Sequence, residues 1–317
     1  EDRDFVRALL DSEPNHLDEA FRTALHTRTQ GHPLFTIELL RGMQERGDIV
    51  RDGEGRWVQA RALDWNILPA RVEAVAAERI GRLPRHLREL LTVASVEGET
   101  FTAEVIARVQ ATDERQTIRS LSEILDRQHR LVGAHGIRRL GRQRLSRYRF
   151  RHILFQKYLY GSLDPVERAY LHEQVGAILE ELYSDQQTAH VAVQLARHFE
   201  EAEIAEKAIH YLHVAGETAV HLSAYREGVT HLTRALALLT TLPYSPERDE
   251  QELVLQVALG VSLQGTDGTQ SLVMKKAYTR AHDLCRKVGN RPELCQVLGE
   301  LGIHHYCLLY TSPSPRD

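Results

Sequence analysis

The sequence predicts a mainly α-helical protein carrying small β-hairpins, with an all-helical second half built from antiparallel helix pairs. Three observations lead there. Apolar residues recur at spacings of three and four through most of the chain, as on one face of a helix. Alternation is confined to two short stretches, residues 48–59 and 130–151. Beyond residue 165 no alternating stretch occurs, and helical segments come in pairs at roughly 40-residue spacing.

The chain opens inside a helix, with Phe5, Val6, Leu9 and Leu10 on one face, so its true start is expected upstream. A second helical pattern, residues 17–29 (Leu17, Phe21, Ala24, Leu25), stops at Gln30-Gly31, where the glycine can take a left-handed cap. Pro33 then opens a helix, because a first-turn NH has no partner to lose. Its apolar face is expected to carry Leu34, Ile37, Leu40 and Met43, with Phe35 and Leu39 alongside, and Gly47 ends it. Residues 48–59 predict a hairpin, Ile49-Val50 and Trp57-Val58 flanking an Asp52-Gly53-Glu54-Gly55 turn.

Helices are expected at 69–83, 84–96, 102–109 and 114–128, then strands at 130–137 and 146–151 around a loop containing Gly141. Three helices followed by a two-stranded wing is the order of a winged helix-turn-helix. A helix from His152 through Leu159 and another over 165–182 lead into the helical half. There 205–220 pairs with 224–240, and 247–263 with 271–288, while Pro292 starts a third pair. Small residues at Ala208, Ala215, Gly216, Ala219, Ala224 and Ala235 suit close helix approach. This pattern predicts an α-solenoid of tetratricopeptide-like helix pairs, stable only when stacked. Residues 307–317 look like a translated adaptor read-through, a non-native tail. The alternative is a disordered Ser/Pro-rich tail with Ser312 and Ser314 as phosphorylation sites.

At 317 residues and 42% hydrophobic content the chain can form two or three domains, each with a core. A net charge of -4 gives no general reason to expect nucleic-acid or membrane binding. No apolar run approaches the roughly 18 to 20 residues of a bilayer span, and no signal peptide precedes Glu1, so a cytoplasmic location is expected. Cys285, Cys295 and Cys307 lack metal-site spacing and read as reduced thiols.

Two motifs carry most functional information. Gly31-His32-Pro33-Leu34 is, by itself, a helix cap followed by a helix start. His152, after Tyr148-Arg149-Phe150-Arg151, is by itself a cap or a packed ring at a strand-helix junction. No acidic residue lies between Asp126 and Asp164, while Arg127, Arg130, Arg138, Arg139, Arg142, Arg144, Arg147, Arg149 and Arg151 crowd this stretch. Alternation puts Tyr148 and Phe150 on one face and Arg147, Arg149 and Arg151 on the other. The basic face reads as a solvated wing, a wall facing phosphates or an acidic partner, or a DNA contact. Glu114, Glu123 and Asp126 on the helix that would enter a groove disfavour DNA. His282 with Cys285 and Cys295, or His304-His305, are the nearest approach to metal ligands, and none has a zinc-site spacing. No catalytic constellation stands out either.

These motifs resemble the second half of a STAND-class signalling ATPase, as in bacterial LuxR-type regulators or those linked to class III adenylate or guanylate cyclases. The resemblance rests on Gly31-His-Pro-Leu-Phe-Thr-Ile-Glu-Leu-Leu, Leu68-Pro-Ala-Arg-Val-Glu-Ala-Val, and the stretch Tyr148 to Tyr160. It continues in Pro246-Glu-Arg-Asp-Glu-Gln-Glu-Leu through Ala277-Tyr-Thr-Arg-Ala-His-Asp-Leu-Cys285, and spans roughly residues 15 to 300. It implies lid helices at 1–46 belonging to a nucleotide-binding ATPase domain, a hairpin linker at 47–68 and a winged helix at 69–164. Connecting helices at 165–204 and tetratricopeptide-like repeats at 205–306 would follow. In that family Gly-x-Pro-Leu begins the lid helices and its proline packs on adenine, which would assign Gly31 and Pro33 to the nucleotide and Leu34 to the core. The family's Met-His-Asp or Arg-His-Asp histidine bonds the ADP β-phosphate; Arg151-His152 matches, and Ile153 departs from the acidic third position.

The resemblance also implies ADP or ATP with Mg in a full-length protein, a missing N-terminal P-loop domain, and a protein or small-molecule inducer on the repeats. This chain has no Gly-x-x-x-x-Gly-Lys-Ser/Thr, and none of its five lysines follows a glycine. No tight nucleotide binding or hydrolysis is therefore expected of the fragment alone, although the parent would be an ATPase. The competing readings are a winged-helix DNA-binding regulator with a helical dimerisation arm, and a tetratricopeptide-like scaffold without a nucleotide role.

Overall fold

The computed structural model describes residues 2–29, 31, 33–60, 70–140, 143–268, 271–289 and 297–299. They form a mainly helical fold with small antiparallel sheets, and the chain divides between Ile178 and Leu179 into two units. Cys295, Cys307, His304, His305, the helix expected from Pro292 and the tail at 307–317 lie outside the described residues, as do Leu68 and Pro69.

In the first unit, α1 (Asp2–Asp11), α2 (Glu19–Thr29) and α3 (Pro33–Glu45) enclose a core of Val6, Leu10, Phe21, Leu25, Leu39 and Met43. Asp18 caps α2, its Oδ1 accepting from the Phe21 NH at 2.7 Å. Gly31 has φ 72°, the left-handed conformation expected after α2, and α3 begins at Pro33. The buried face of α3 is rotated from the expected one. Phe35, Thr36, Leu39 and Met43 point inward, while Ile37 is 36% exposed and Leu40 half-buried. The physical reason is a competing apolar stripe: Phe35, Leu39 and Met43 recur every four residues and are buried together, and beside them the Thr36 hydroxyl donates to Thr29 Oγ1 at 3.0 Å.

The hairpin of β1 (Ile49–Arg51) and β2 (Trp57–Gln59) forms as expected, with Val50 opposite Val58. Asp52 organises its turn by accepting from the Glu54 and Arg56 NH groups, both at 2.9 Å. Those bonds, the one from Arg56 first, hold its carboxyl below the usual range.

Helices α4 (Ala70–Gly81), α5 (Arg85–Glu97) and α6 (Ala103–Val109) follow the predicted order, with an unforeseen strand β3 (Thr100–Thr102) before α6. The helix expected over 114–128 is α-helical only as α7 (Glu114–Arg119) and continues as a π-helix, Ser120–Gln128. Strands β4 (Val132–Leu140) and β5 (Gln143–Phe150) run further than expected, and the Gly141 loop lies outside the described residues. The sheet order is β3-β5-β4, all antiparallel, with Phe101 opposite Tyr148. Phe101, Tyr148 and Phe150 bury their rings against one another, confirming the apolar side of β5.

Two buried carboxylates fix the corners. Glu97 accepts from both the NH and the hydroxyl of Thr102, at 2.9 and 2.8 Å, and Glu104 accepts from the Ser146 NH at 2.8 Å. Helix α8 (Ile153–Ser162) is pinned to α5 by Gln156 Nε2 donating to Ser95 O at 2.7 Å.

Helix α9 (Pro165–Gln187) contains the boundary between the units, and a 3-10 turn, Thr188–His190, follows it. The second unit continues with α10 (Ala192–Glu201), α11 (Ala205–His221), α12 (Tyr225–Leu239), α13 (Pro246–Asp267) and α14 (Leu272–Val288). Each packs chiefly on the helix next to it in sequence. Gly216 permits one close approach: a Cβ there would stand 2.7 Å from Leu232 Cγ. Ala208, Ala215 and Ala235 are buried as expected, and α13 and α14 are joined by Arg280, which grips Glu252 through two bonds of 2.6 and 2.8 Å.

Candidate functional site

Gly31 and Pro33 occupy the turn between α2 and α3, Gly31 buried and Pro33 exposed. The side chains of His32 and Leu34 lie outside the described residues. His152 takes the N-cap position of α8 with an extended backbone (φ -137°, ψ 129°), and its side chain does not cap that helix.

Its ring instead packs. Phe35, in the first turn of α3, meets His152 edge-on, centroids 5.2 Å apart at 73°. Phe155 completes the cluster, 6.2 Å from Phe35 and 6.0 Å from His152. The Arg79 guanidinium of α4 lies 5.1 Å from the centre of the Phe155 ring and donates to His129 O at 2.7 Å. The two motifs singled out in the sequence are thus brought together by the aromatic residue two positions after Pro33.

His152 also lines an open recess of about 430 Å³ with Gly133, Ala134, His135, Arg149, Phe150 and Arg151. Two guanidinium groups and two imidazoles give it the donors that suit an anion. Arg151 is part of the framework: it donates from Nε to Val132 O at 3.0 Å and pairs with Asp126 at 2.5 Å. Arg149 stands 3.6 Å from Glu99. The basic face of β5 is therefore balanced in part by Glu99, just before β3, and by Asp126 of the π-helix, which the acid-free local sequence did not suggest. On the helical segment expected to meet DNA, Glu123 pairs with Arg119 at 3.5 Å and Asp126 with Arg151.

Sequence reasoning placed Phe35 in the core and passed over Arg79 and His135. Nothing in their spacing marks them, because the cluster joins elements far apart in the chain. Among the described residues no group of three or more His, Cys, Asp or Glu side chains is placed to hold a metal ion. Cys285 is buried in the apolar core of the second unit, and His282 lies 3.5 Å from Asp283. Among the same residues no helix is long and apolar enough to cross a membrane. No family model matches the chain, and no curated protein or solved structure matches it either.

Proposed function

We propose that this chain is the switch and sensor part of a STAND-class signalling ATPase: lid helices and a winged helix that clamp ADP or ATP against a P-loop domain, followed by a helical arm that receives an inducer. The observation that carries the reading is the packing of Phe35 on His152. It ties the helix opened by Pro33 to the histidine that would bond the β-phosphate, so both ends of a diphosphate nucleotide could be served by one body.

The residues fit the group. Exposed Pro33 offers an apolar ring for adenine, Gly31 supplies the turn that presents it, and the recess around His152 is lined by cationic and NH donors. When bound, the nucleotide supplies the charge whose presence the switch reads; His152 would hold a β-phosphate oxygen, and Arg149 and Arg151 would raise the local potential. Mg would belong to the P-loop domain. The winged-helix assignment is supported by the order α5, β3, α6, α7 with its π-helical extension, β4, β5 and by the sheet order β3-β5-β4. A tetratricopeptide-like arm is supported by the successive packing of each helix from α10 to α14 on the next.

The test joins this chain to the P-loop domain of its own reading frame and follows release of bound ADP. His152→Ala should speed release by about ten- to a hundredfold, the value of one charge-assisted hydrogen bond. Unchanged release would remove the histidine from the switch.

A further inference from the structure

Helices α11 and α13 of the second unit border a groove with an unbalanced charge pattern. Two recesses, about 320 and 340 Å³, open along it and share His213 and Val254. The floor is apolar, with Ile209, Leu255, Val257 and Val261, and Val254 is 41% exposed there. Around it stand four carboxylates, Glu206 and Glu217 from α11 and Glu247 and Glu250 from α13.

Among the described residues no Lys or Arg lines either recess. The cations of these two helices are engaged elsewhere: Lys207 with Glu180 at 2.6 Å, and Arg248 NH1 donating to Leu242 O at 2.9 Å. The other side of α13 is balanced, Asp249 by Lys287 at 2.7 Å and Glu252 by Arg280 at 2.6 Å. Acids facing α14 are thus paired with Lys or Arg within the fold, whereas the groove's acids share its lining with the imidazoles of His210, His213 and His221: His213 Nε2 lies 3.4 Å from Glu217, and burial favours its uncharged form. An apolar floor attracts any hydrophobic segment, whereas an acidic rim selects by charge and repels nucleic acid and acidic peptides.

We propose that this groove docks a segment of a partner protein whose apolar side chains are flanked by lysines and arginines. From Glu206 to His221 α11 runs for about 22 Å, which matches an amphipathic helix of about 14 residues. The inference rests on the second unit alone and stands whether or not the first unit meets a nucleotide.

The test uses the full chain, without nucleotide, and two fluorescein-labelled 14-residue helical peptides of about equal hydrophobicity, one Leu/Lys and one Leu/Glu. By fluorescence anisotropy the Leu/Lys peptide should bind at least about tenfold more tightly, and its binding should weaken with added salt. The triple variant Glu206→Lys, Glu217→Lys, Glu250→Lys should reverse the preference and gain the Leu/Glu peptide, a result that misfolding cannot produce. Failure of the Leu/Lys peptide to bind saturably, equal binding of both peptides, or an unchanged preference in the triple variant would each overturn the proposal.

Discussion

The Phe35 ring and the imidazole of His152 meet in a T-shaped contact, centroids 5.2 Å apart, so the helix after one turn motif positions the histidine of the other. Phe35→Ala should destabilise the first unit by about 3–5 kcal/mol, the usual loss for a buried Phe. Phe35→Leu keeps most of the burial and should cost under about 1.5 kcal/mol while abolishing the aromatic contact. Urea unfolding measures the first effect, and the proton chemical shifts of the His152 ring report the second. Unmoved shifts in Phe35→Leu would mean the rings do not touch in solution.

Glu97 is buried and both of its carboxylate oxygens are used by Thr102. Glu97→Ala strands a buried NH and hydroxyl and should cost about 1–3 kcal/mol. Thr102→Val removes the hydroxyl alone and should cost less, so the difference in urea midpoints separates the two bonds.

Gly260 of α13 faces Tyr278 of α14 so closely that an added Cβ would lie 2.5 Å from Cζ. Gly260→Ala should therefore lower stability by about 1–3 kcal/mol through overpacking, although alanine is the better helix former by up to about 1 kcal/mol. Gly161→Ala in α8 meets nothing within 4 Å and should be neutral or slightly stabilising, which thermal unfolding of the two variants will rank.

His213 and His231 titrate below their ordinary value of 6.5, chiefly because burial penalises the imidazolium. Glu217 opposes this at His213 while His210 adds to it; at His231 Arg234 adds to it and Glu227 opposes. With folded values depressed, the unfolded chain takes up these protons first as pH falls. The stability of the second unit is thus intact above pH 6.5 and is lost as pH falls through that value toward the folded ones. Melting temperatures between about pH 7.5 and pH 5.5 should fall, and the double variant His213→Gln, His231→Gln should flatten the slope.

Much of the helical layout was legible because long amphipathic segments carry their period openly. Gly31 and Pro33 marked a chain turn through backbone chemistry alone, and the hairpin at 48–59 announced itself by its Asp52-Gly53 turn. Strand β3 was invisible, since three residues hold too little alternation, and α10 (Ala192–Glu201) lay in a stretch read only as connecting. The facing of α3 was missed because two apolar stripes overlap on that helix, and the one through Phe35, Leu39 and Met43 is buried, with the Thr29–Thr36 hydroxyl pair beside it. At the candidate site the individual motifs could be read, but Phe35, Arg79 and His135 join it through tertiary packing that local sequence does not encode.

The neighbour-to-neighbour packing of α10 through α14 has a further consequence. Because each of these helices leans chiefly on the segments beside it, a substitution in one is felt first by its immediate neighbours in the chain.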